Sequence, residues 1–477
     1  MELDNIYIKN DENLSTAIKA IDKNTLGIIF IVDKNKKLIG LLTDGDIRRA
    51  ILKGISIEKP VNEIINKKFK SFHYKTPYQE VSNSIDNRYK IIPLVDDKGI
   101  LVDYASKNRI NNIPIAIPSI GNQELNNVIN CVKSGWISSQ GSFVNDFENE
   151  FSKLHHNRYA LSVSNGSVAL HLALLALGIT KGDEVIVPNL TFAASINSII
   201  HTGAKPVIAD VNRKTWNIDV NKIEALISPR TKAIMPVHLY GNPCEMNKIS
   251  SLAIENNLKI IEDCAESLGS EYNNYPTGIF GDAATYSFFG NKTITTGEGG
   301  MILFKEEEVY KKAMILRDHG MSKTKRYWHD LVGFNYRLTN LQASIGLAQL
   351  EKLNSFVNKK IQIAQHYIDF FSKYDFFEFQ NKLDNSKNSY WLFSVLIKDN
   401  APFTKNEFID FLKRKGIDSR PLFFPLHSMP IYKNFKRSSL KNSIDLSAKG
   451  VSLPSFVDIS RKEIKYILEN IKNLIHE

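Results

Sequence analysis

ATYSFFGNKTITTGEGGMILF, residues 284–304, decides how the whole chain is read. An apolar run ends at Ser287, two phenylalanines follow, and Lys292 stands ahead of the bend Gly297-Glu298-Gly299-Gly300. Glycines at such a bend relieve the steric limits that a Cβ places on the backbone. An isolated lysine is ordinarily a solvated charge. Here its flanks are apolar and small, so desolvation lowers its pKa toward that of a nucleophile and base.

Working outward, three more stretches place chemistry-bearing residues at the ends of apolar runs. In IIEDCAESLGS (260–270) Asp263 closes a strand, where a buried carboxylate needs a partner, and Glu266 follows three residues later. SVSNGSVALHLALLAL (162–177) sets Ser164-Asn165-Gly166-Ser167 directly ahead of a strong helix. Small residues and free N–H groups at a helix start bind anions, although Ser and Asn are also ordinary N-caps. GFNYRLTNLQASIGLAQL (333–350) puts Asn335 and Arg337 just before an amphipathic helix. DEVIVPNLTF, KPVIADV, TKAIMPVHLY and NLKIIEDCAE are buried-strand runs alternating with helices, the rhythm of βαβ units around a mainly parallel sheet. Ligands of such sheets sit at the carboxyl ends of the strands, where the polar residues collect here. From about Glu351 a long helix and short mixed elements read as a smaller C-terminal domain.

Residues 1 to about 112 have a different organisation. IIFIVDKNKKLIGLLTDGDIRRAI (28–51) is echoed 63 residues later by IIPLVDDKGILVDYASKNRI (91–110). Each copy reads as a strand, an Asp-led turn, a second strand and a helix, with further helices predicted over 14–21 and 81–85. NNIPIAIPS (111–119) follows as a linker whose prolines disfavour regular structure.

Composition excludes several classes. The net charge of +10 over 477 residues is spread along the chain, with no basic stripe of the kind that binds nucleic acid, and is compatible with an anionic small molecule. The longest apolar run, 170–179, is too short to span a membrane, and the N-terminus is no signal or transit peptide, so a cytoplasmic protein is expected. Cys131, Cys244 and Cys264 form no CxxC pair and are expected to be reduced interior thiols, with no metal site.

Two resemblances follow from these residues. GLLTDGDIRRAI and the repeat around it resemble a pair of cystathionine-β-synthase-type (CBS) domains. That resemblance implies a regulatory site in which Thr43 and Asp46 hold the ribose and phosphate of an adenine or other nucleotide. Capping of the following helix by Thr43 or Asp44 is the alternative. The second copy has VDYASKNRI where the Thr-Asp signal belongs.

Residues 113–477 resemble the DegT/StrS nucleotide-sugar aminotransferases, within the fold-type-I pyridoxal-phosphate (PLP) enzymes. The implied fold is α/β: a CBS pair over 1–112, a PLP-binding large domain over 113–350 and a small C-terminal α/β domain over 351–477. The resemblance implies that Lys292 carries PLP, that Asp263 pairs with its pyridine nitrogen and that Glu266 touches its phenolic oxygen. It also implies that Gly166, Ser167 and Ser287 hold the phosphate and that Phe192, in PNLTFAASIN, stacks on the ring. Asn335 would reach the phosphate of a neighbouring subunit's cofactor, which requires a homodimer with shared active sites. Arg337, and Arg420 and His427 in SRPLFFPLHSMPIY (419–432), are candidate sugar contacts, a Pro-punctuated surface loop being the alternative for that segment.

The implied reaction moves an amino group from L-glutamate to a keto carbon, C4 in the preferred reading, of a nucleotide-linked 4-keto-6-deoxy sugar. GDP, UDP and dTDP sugars all fit at this point, as does C3 amination. Two alternatives use the same fold: a keto-sugar dehydratase, which has histidine in place of the lysine, and a non-catalytic nucleotide sensor, which would have lost Lys292 or Asp263. Both residues are present.

Overall fold

The structure, a computed structural model, describes residues 6–74, 76, 78–86, 89–106 and 113–476. The first five residues, the end of the second repeat and the start of the linker lie outside the described residues. The chain forms two compact units, Met1–Ile113 with Asp410–Ile417, and Pro114–Ile409 with Asp418–Glu477.

In the first unit the repeat carries through to geometry. Copy one is β1 (Tyr7–Lys9), α1 (Leu14–Asn24), β2 (Ile28–Val32), β3 (Leu38–Thr43) and α2 (Asp44–Leu52). Copy two is β4 (Phe72–His73), α3 (Tyr78–Asn83), β5 (Ile91–Val95) and β6 (Leu101–Ser106). Each makes a three-stranded sheet with one parallel and one antiparallel pair. The register slips at Ile31/Val32 in one and at Leu94/Val95 in the other, again 63 residues apart. The Asp-led turns match too: Asp33 accepts from Asn35 N and Lys37 N, and Asp96 from Lys98 N and Ile100 N. The left-handed position of the turn is Lys36 (φ 62°) in the first copy and Gly99 (φ 78°) in the second. The helix predicted over 81–85 instead ends at Asn83. Ser84 turns its hydroxyl back onto Glu80 O, a bond that competes with helix continuation.

The second unit is built on a seven-stranded sheet. Its strands are β7 (Tyr159–Val163), β8 (Glu184–Pro188), β9 (Lys205–Ala209), β10 (Thr231–Ile234) and β11 (Lys259–Asp263), then, past the small hairpin β12 (Glu271–Tyr272) and β13 (Tyr275–Pro276), β14 (Ala283–Ser287) and β15 (Gly300–Phe304). The spatial order is β7-β15-β14-β11-β10-β8-β9, and β15 alone runs against the rest. Most of these strands are buried along nearly their whole length, which is why they read as continuous apolar runs. After α4 (Asn122–Ser134) and α5 (Ser142–Leu154), α6 (Gly166–Ala176) is apolar all round and sits in the core among Leu161, Val187, Ile261 and Ile302, as such a helix must. α7 (Ala193–His201) follows β8. The predicted long helix spans Leu353–Phe371, and a four-stranded antiparallel sheet follows it. The three cysteines are buried and free. No described helix is long and apolar enough to cross a membrane.

Candidate active site

The sheet order brings the carboxyl ends of β7, β8, β11 and β14 to one edge, and the residues that follow them make the site. Asp263 ends β11 and is buried. One of its carboxylate oxygens accepts from Ser195 Oγ of α7 at 2.7 Å, the other from Ala265 N at 3.1 Å. Burial holds its pKa above the ordinary carboxylate value, against the opposing pull of those donors and of Lys292. A carboxylate has about four acceptor positions, so two remain for another donor.

Lys292 comes five residues after Ser287, and its side chain is 13 % exposed. Its Nζ makes no hydrogen bond among the described residues. The nearest anion is Glu266 Oε1 at 4.0 Å, and the Trp391 ring face lies 3.8 Å away. Burial lowers the lysine pKa although Glu266 and Asp263 work to raise it. Glu266 Oε2 accepts from Tyr240 N at 2.7 Å, and burial pushes this carboxyl up to about 7.

Gly166 and Ser167 open α6, whose cap is the Asn165 side chain accepting from Val168 N at 3.0 Å. The N–H groups of Gly166 and Ser167 find no acceptor among the described residues. The loop abuts the end of β14 so closely that a Cβ on Gly166 would lie 2.8 Å from Ser287 Cβ. Unpaired N–H groups at a helix start beside a serine hydroxyl suit a phosphate.

Phe192, at the N-cap of α7, is 58 % exposed and borders a cavity of about 540 Å³. Asn291, Trp391, Tyr240, Phe423 and Arg420 also line it. Tyr240 stacks between Trp391 and Phe423, at centroid distances of 6.1 and 5.5 Å. The Arg420 guanidinium bonds Asp418 at 3.0 Å. His427 stands off this cavity: its ring Nδ1 meets the Asn189 side chain, and its backbone N–H donates to Asn189 Oδ1 at 3.0 Å.

Asn335 and Arg337 form a separate cluster. Arg337 bonds Asp318 at 2.8 Å and Asn335 Oδ1 at 3.1 Å, and Asn335 is exposed. Their strand of backbone nevertheless borders the phosphate loop, because Ser164 N donates to Tyr336 O at 2.8 Å. In the first unit Thr43 and Asp46 are joined as a capping box on α2, Thr43 N and Oγ1 donating to Asp46 at 3.0 and 2.7 Å while Asp46 N donates back at 3.2 Å.

Ser195, Tyr240 and Trp391 were not singled out from sequence, and each reaches the site from a distant part of the chain. His238, Glu262 and Cys264 cluster tightly, and the polar atoms of His238 and Glu262 are spent on one another and on backbone N–H groups. Glu262 accepts from Gly278, Phe280 and Gly281 N–H and from His238 Nε2, while His238 Nδ1 accepts from Cys244 N.

The sequence profile of the DegT/DnrJ/EryC1/StrS aminotransferase family matches residues 118–472, and that of the CBS domain matches residues 1–53. The chain is 45 % identical over 359 residues to a GDP-perosamine synthase of Escherichia coli O157:H7, covering 75 % of this chain and 97 % of that relative. A GDP-perosamine synthase of Vibrio cholerae is 40 % identical, over 76 % of this chain and 98 % of its own length. Among solved structures, an aminotransferase from Psychrobacter cryohalolentis superposes with a TM-score of 0.72 at 30 % identity, over 76 % of this chain and 99 % of that one. The chain belongs to the DegT/DnrJ/EryC1/StrS aminotransferase family and is an enzyme that works with pyridoxal phosphate.

Proposed function

We propose that this enzyme transfers an amino group from L-glutamate to C4 of a nucleotide-linked 4-keto-6-deoxy sugar, turning GDP-4-keto-6-deoxymannose into GDP-perosamine. The product serves surface polysaccharide, of which the O-antigen of lipopolysaccharide is one form. In this reading residues 1–112 are a regulatory CBS pair, 113–350 bind the cofactor and 351–477 are the small domain. Two copies associate in the cytoplasm, each lending Asn335 to the other's site.

The observation that carries the reading is the Lys292 amine, without a hydrogen bond among the described residues and within 4.0 Å of Glu266 near the buried Asp263. The residues fit PLP. The free N–H groups of Gly166 and Ser167 with Ser287 match its phosphate, and the spare acceptor positions of Asp263 match its ring nitrogen. When bound, the cofactor supplies an electron sink for charge developing at the carbon that loses a proton.

The protein's own groups do the rest. Asp263, steadied by Ser195 and Ala265, keeps the partner nitrogen protonated. Lys292 Nζ, its pKa lowered by burial and its nearest anion 4.0 Å away, is the group that would take a proton from the α carbon of glutamate and return one nearby. With the keto sugar bound, the same amine serves the reverse transfer. Arg420, at the cavity wall, would exchange its Asp418 partner for the substrate's negative charge. The 40–45 % identity to GDP-perosamine synthases supports the choice of sugar.

The test incubates enzyme and glutamate with a panel of GDP-, UDP- and dTDP-linked keto sugars and follows product mass. The expected result is amination of GDP-4-keto-6-deoxymannose at C4. Turnover confined to UDP or dTDP sugars would overturn the assignment of substrate.

A further inference from the structure

Lysines are seldom fully buried without a carboxylate partner. Lys360, within the helix Leu353–Phe371, is only 3 % exposed. Its Nζ donates to two backbone carbonyls, Trp391 O at 3.1 Å and Ser455 O at 2.6 Å. Burial brings its pKa down to about 7, and no carboxylate restores it. The two carbonyls each take one N–H of the amine. On the same helix, Tyr367 donates its hydroxyl to Pro454 O at 2.9 Å. The helix thereby grips residues 454–455 and the backbone of Trp391 at once.

Trp391 is the shelf beneath the reactive amine. Its ring face lies 3.8 Å from Lys292 Nζ, and its indole N–H donates to Asn291 O at 2.8 Å, one residue before Lys292. A methionine at 360 would fill the same space but leave the Trp391 and Ser455 carbonyls without this donor. We infer that Lys360 is a positioning residue for Lys292: by holding the Trp391 backbone it keeps the indole face under the amine and the indole N–H on Asn291. This rests on Lys292 being the reactive amine.

The experiment is a pH titration of the visible cofactor band of the holoenzyme, in wild type, Lys360→Met, Trp391→Leu and the double variant. A cation over an aromatic face gains about 0.5–2 kcal/mol, so a displaced shelf moves the midpoint by about 0.4–1.5 pH units. Lys360→Met is expected to shift the midpoint by that amount in the wild-type background and to add nothing in the Trp391→Leu background, because the two act through one contact. An unmoved midpoint in folded Lys360→Met holoenzyme overturns the inference, as does an equal shift in both backgrounds. Lys360→Leu, which likewise leaves the Trp391 carbonyl without its donor, supplies the same reading if the methionine variant does not fold. A wild-type holoenzyme without a borohydride-sensitive visible band overturns the Lys292 assignment and this inference with it. A normal band with unmoved midpoints overturns the inference alone.

Discussion

Two groups of strand ends in this chain carry hydroxyls and carboxylates at close spacing and use them in opposite ways. At the end of β3, Thr43 and Asp46 satisfy one another: hydroxyl to carboxylate, backbone to carboxylate, backbone to hydroxyl, with Arg49 closing the remaining oxygen. At the ends of β7, β11 and β14, the polar groups are satisfied only in part. Among the described residues Asp263 keeps spare acceptor positions, Gly166 and Ser167 keep free N–H groups, and Lys292 has no hydrogen bond. Buried polar groups are normally paired, so leftover capacity concentrated at one edge of a sheet marks a ligand site. Residue types and spacing do not separate the two cases. The hydrogen-bond inventory does.

The strongest way to break this contrast is to remove the unsatisfied groups. Lys292→Ala is expected to abolish transamination and the borohydride-sensitive band, because no other described amine approaches Glu266 and Asp263 in this way. Near-normal turnover in that variant would sink the assignment. Asp263→Asn keeps the size of the side chain but removes the charge. It is expected to retain cofactor, read by absorbance after gel filtration, and to lose about 100- to 1000-fold in kcat, the usual scale for one preorganised electrostatic partner.

Glu266 offers a subtler test, because its role depends on pH. Its pKa stands near 7 in the fold against about 4.3 in an unfolded chain. Between those values the native state binds more protons than the unfolded one, so this group's contribution to stability is full below about pH 4 and declines as pH rises to about 7. Glu266→Gln keeps an acceptor for Tyr240 N and does not titrate. Its stability relative to wild type, from denaturant unfolding, is expected to improve between pH 5 and pH 8 by on the order of 2–3 kcal/mol. A gap that stays constant with pH would mean that Glu266 is ionised throughout.

Much of this contrast was legible in the sequence, for physical reasons that differ by residue. Strand ends were visible because a parallel sheet buried on both faces forces continuous apolar runs, and the last residue of each run then stands out, as Asp263 does after Ile260 and Ile261. The repeat was visible because the Asp33 and Asp96 turns need the same side-chain bonds in both copies. Ser195 was not, because its partner Asp263 is 68 residues away and a serine near a helix start reads as a cap. Trp391 is further still, 99 residues beyond Lys292, and one aromatic residue just ahead of an apolar strand signals only a core. Glu262 and Asp263 are adjacent acids that alternate across the sheet. Periodicity alone could not say which one lies on the side of Lys292 and Ser195, and the structure turns Glu262 toward the Gly278–Gly281 loop instead.

The smallest expected effect sharpens the other side of the comparison. If Thr43 is chiefly a cap, Thr43→Ala removes the acceptor for Asp46 N and costs about 1 kcal/mol, seen as earlier unfolding of the first unit by hydrogen exchange. Transamination by the second unit should change less than twofold. The Thr43 hydroxyl donates its proton to Asp46 and accepts one backbone N–H, which leaves one lone pair for a ribose hydroxyl. A nucleotide can therefore join the box without breaking it. Adenine and guanine nucleotides added to wild type and to Thr43→Ala separate the cases: equal protection of α2 in both proteins, or none in either, leaves Thr43 as a cap, whereas protection of wild type alone makes the same hydroxyl a ligand contact as well.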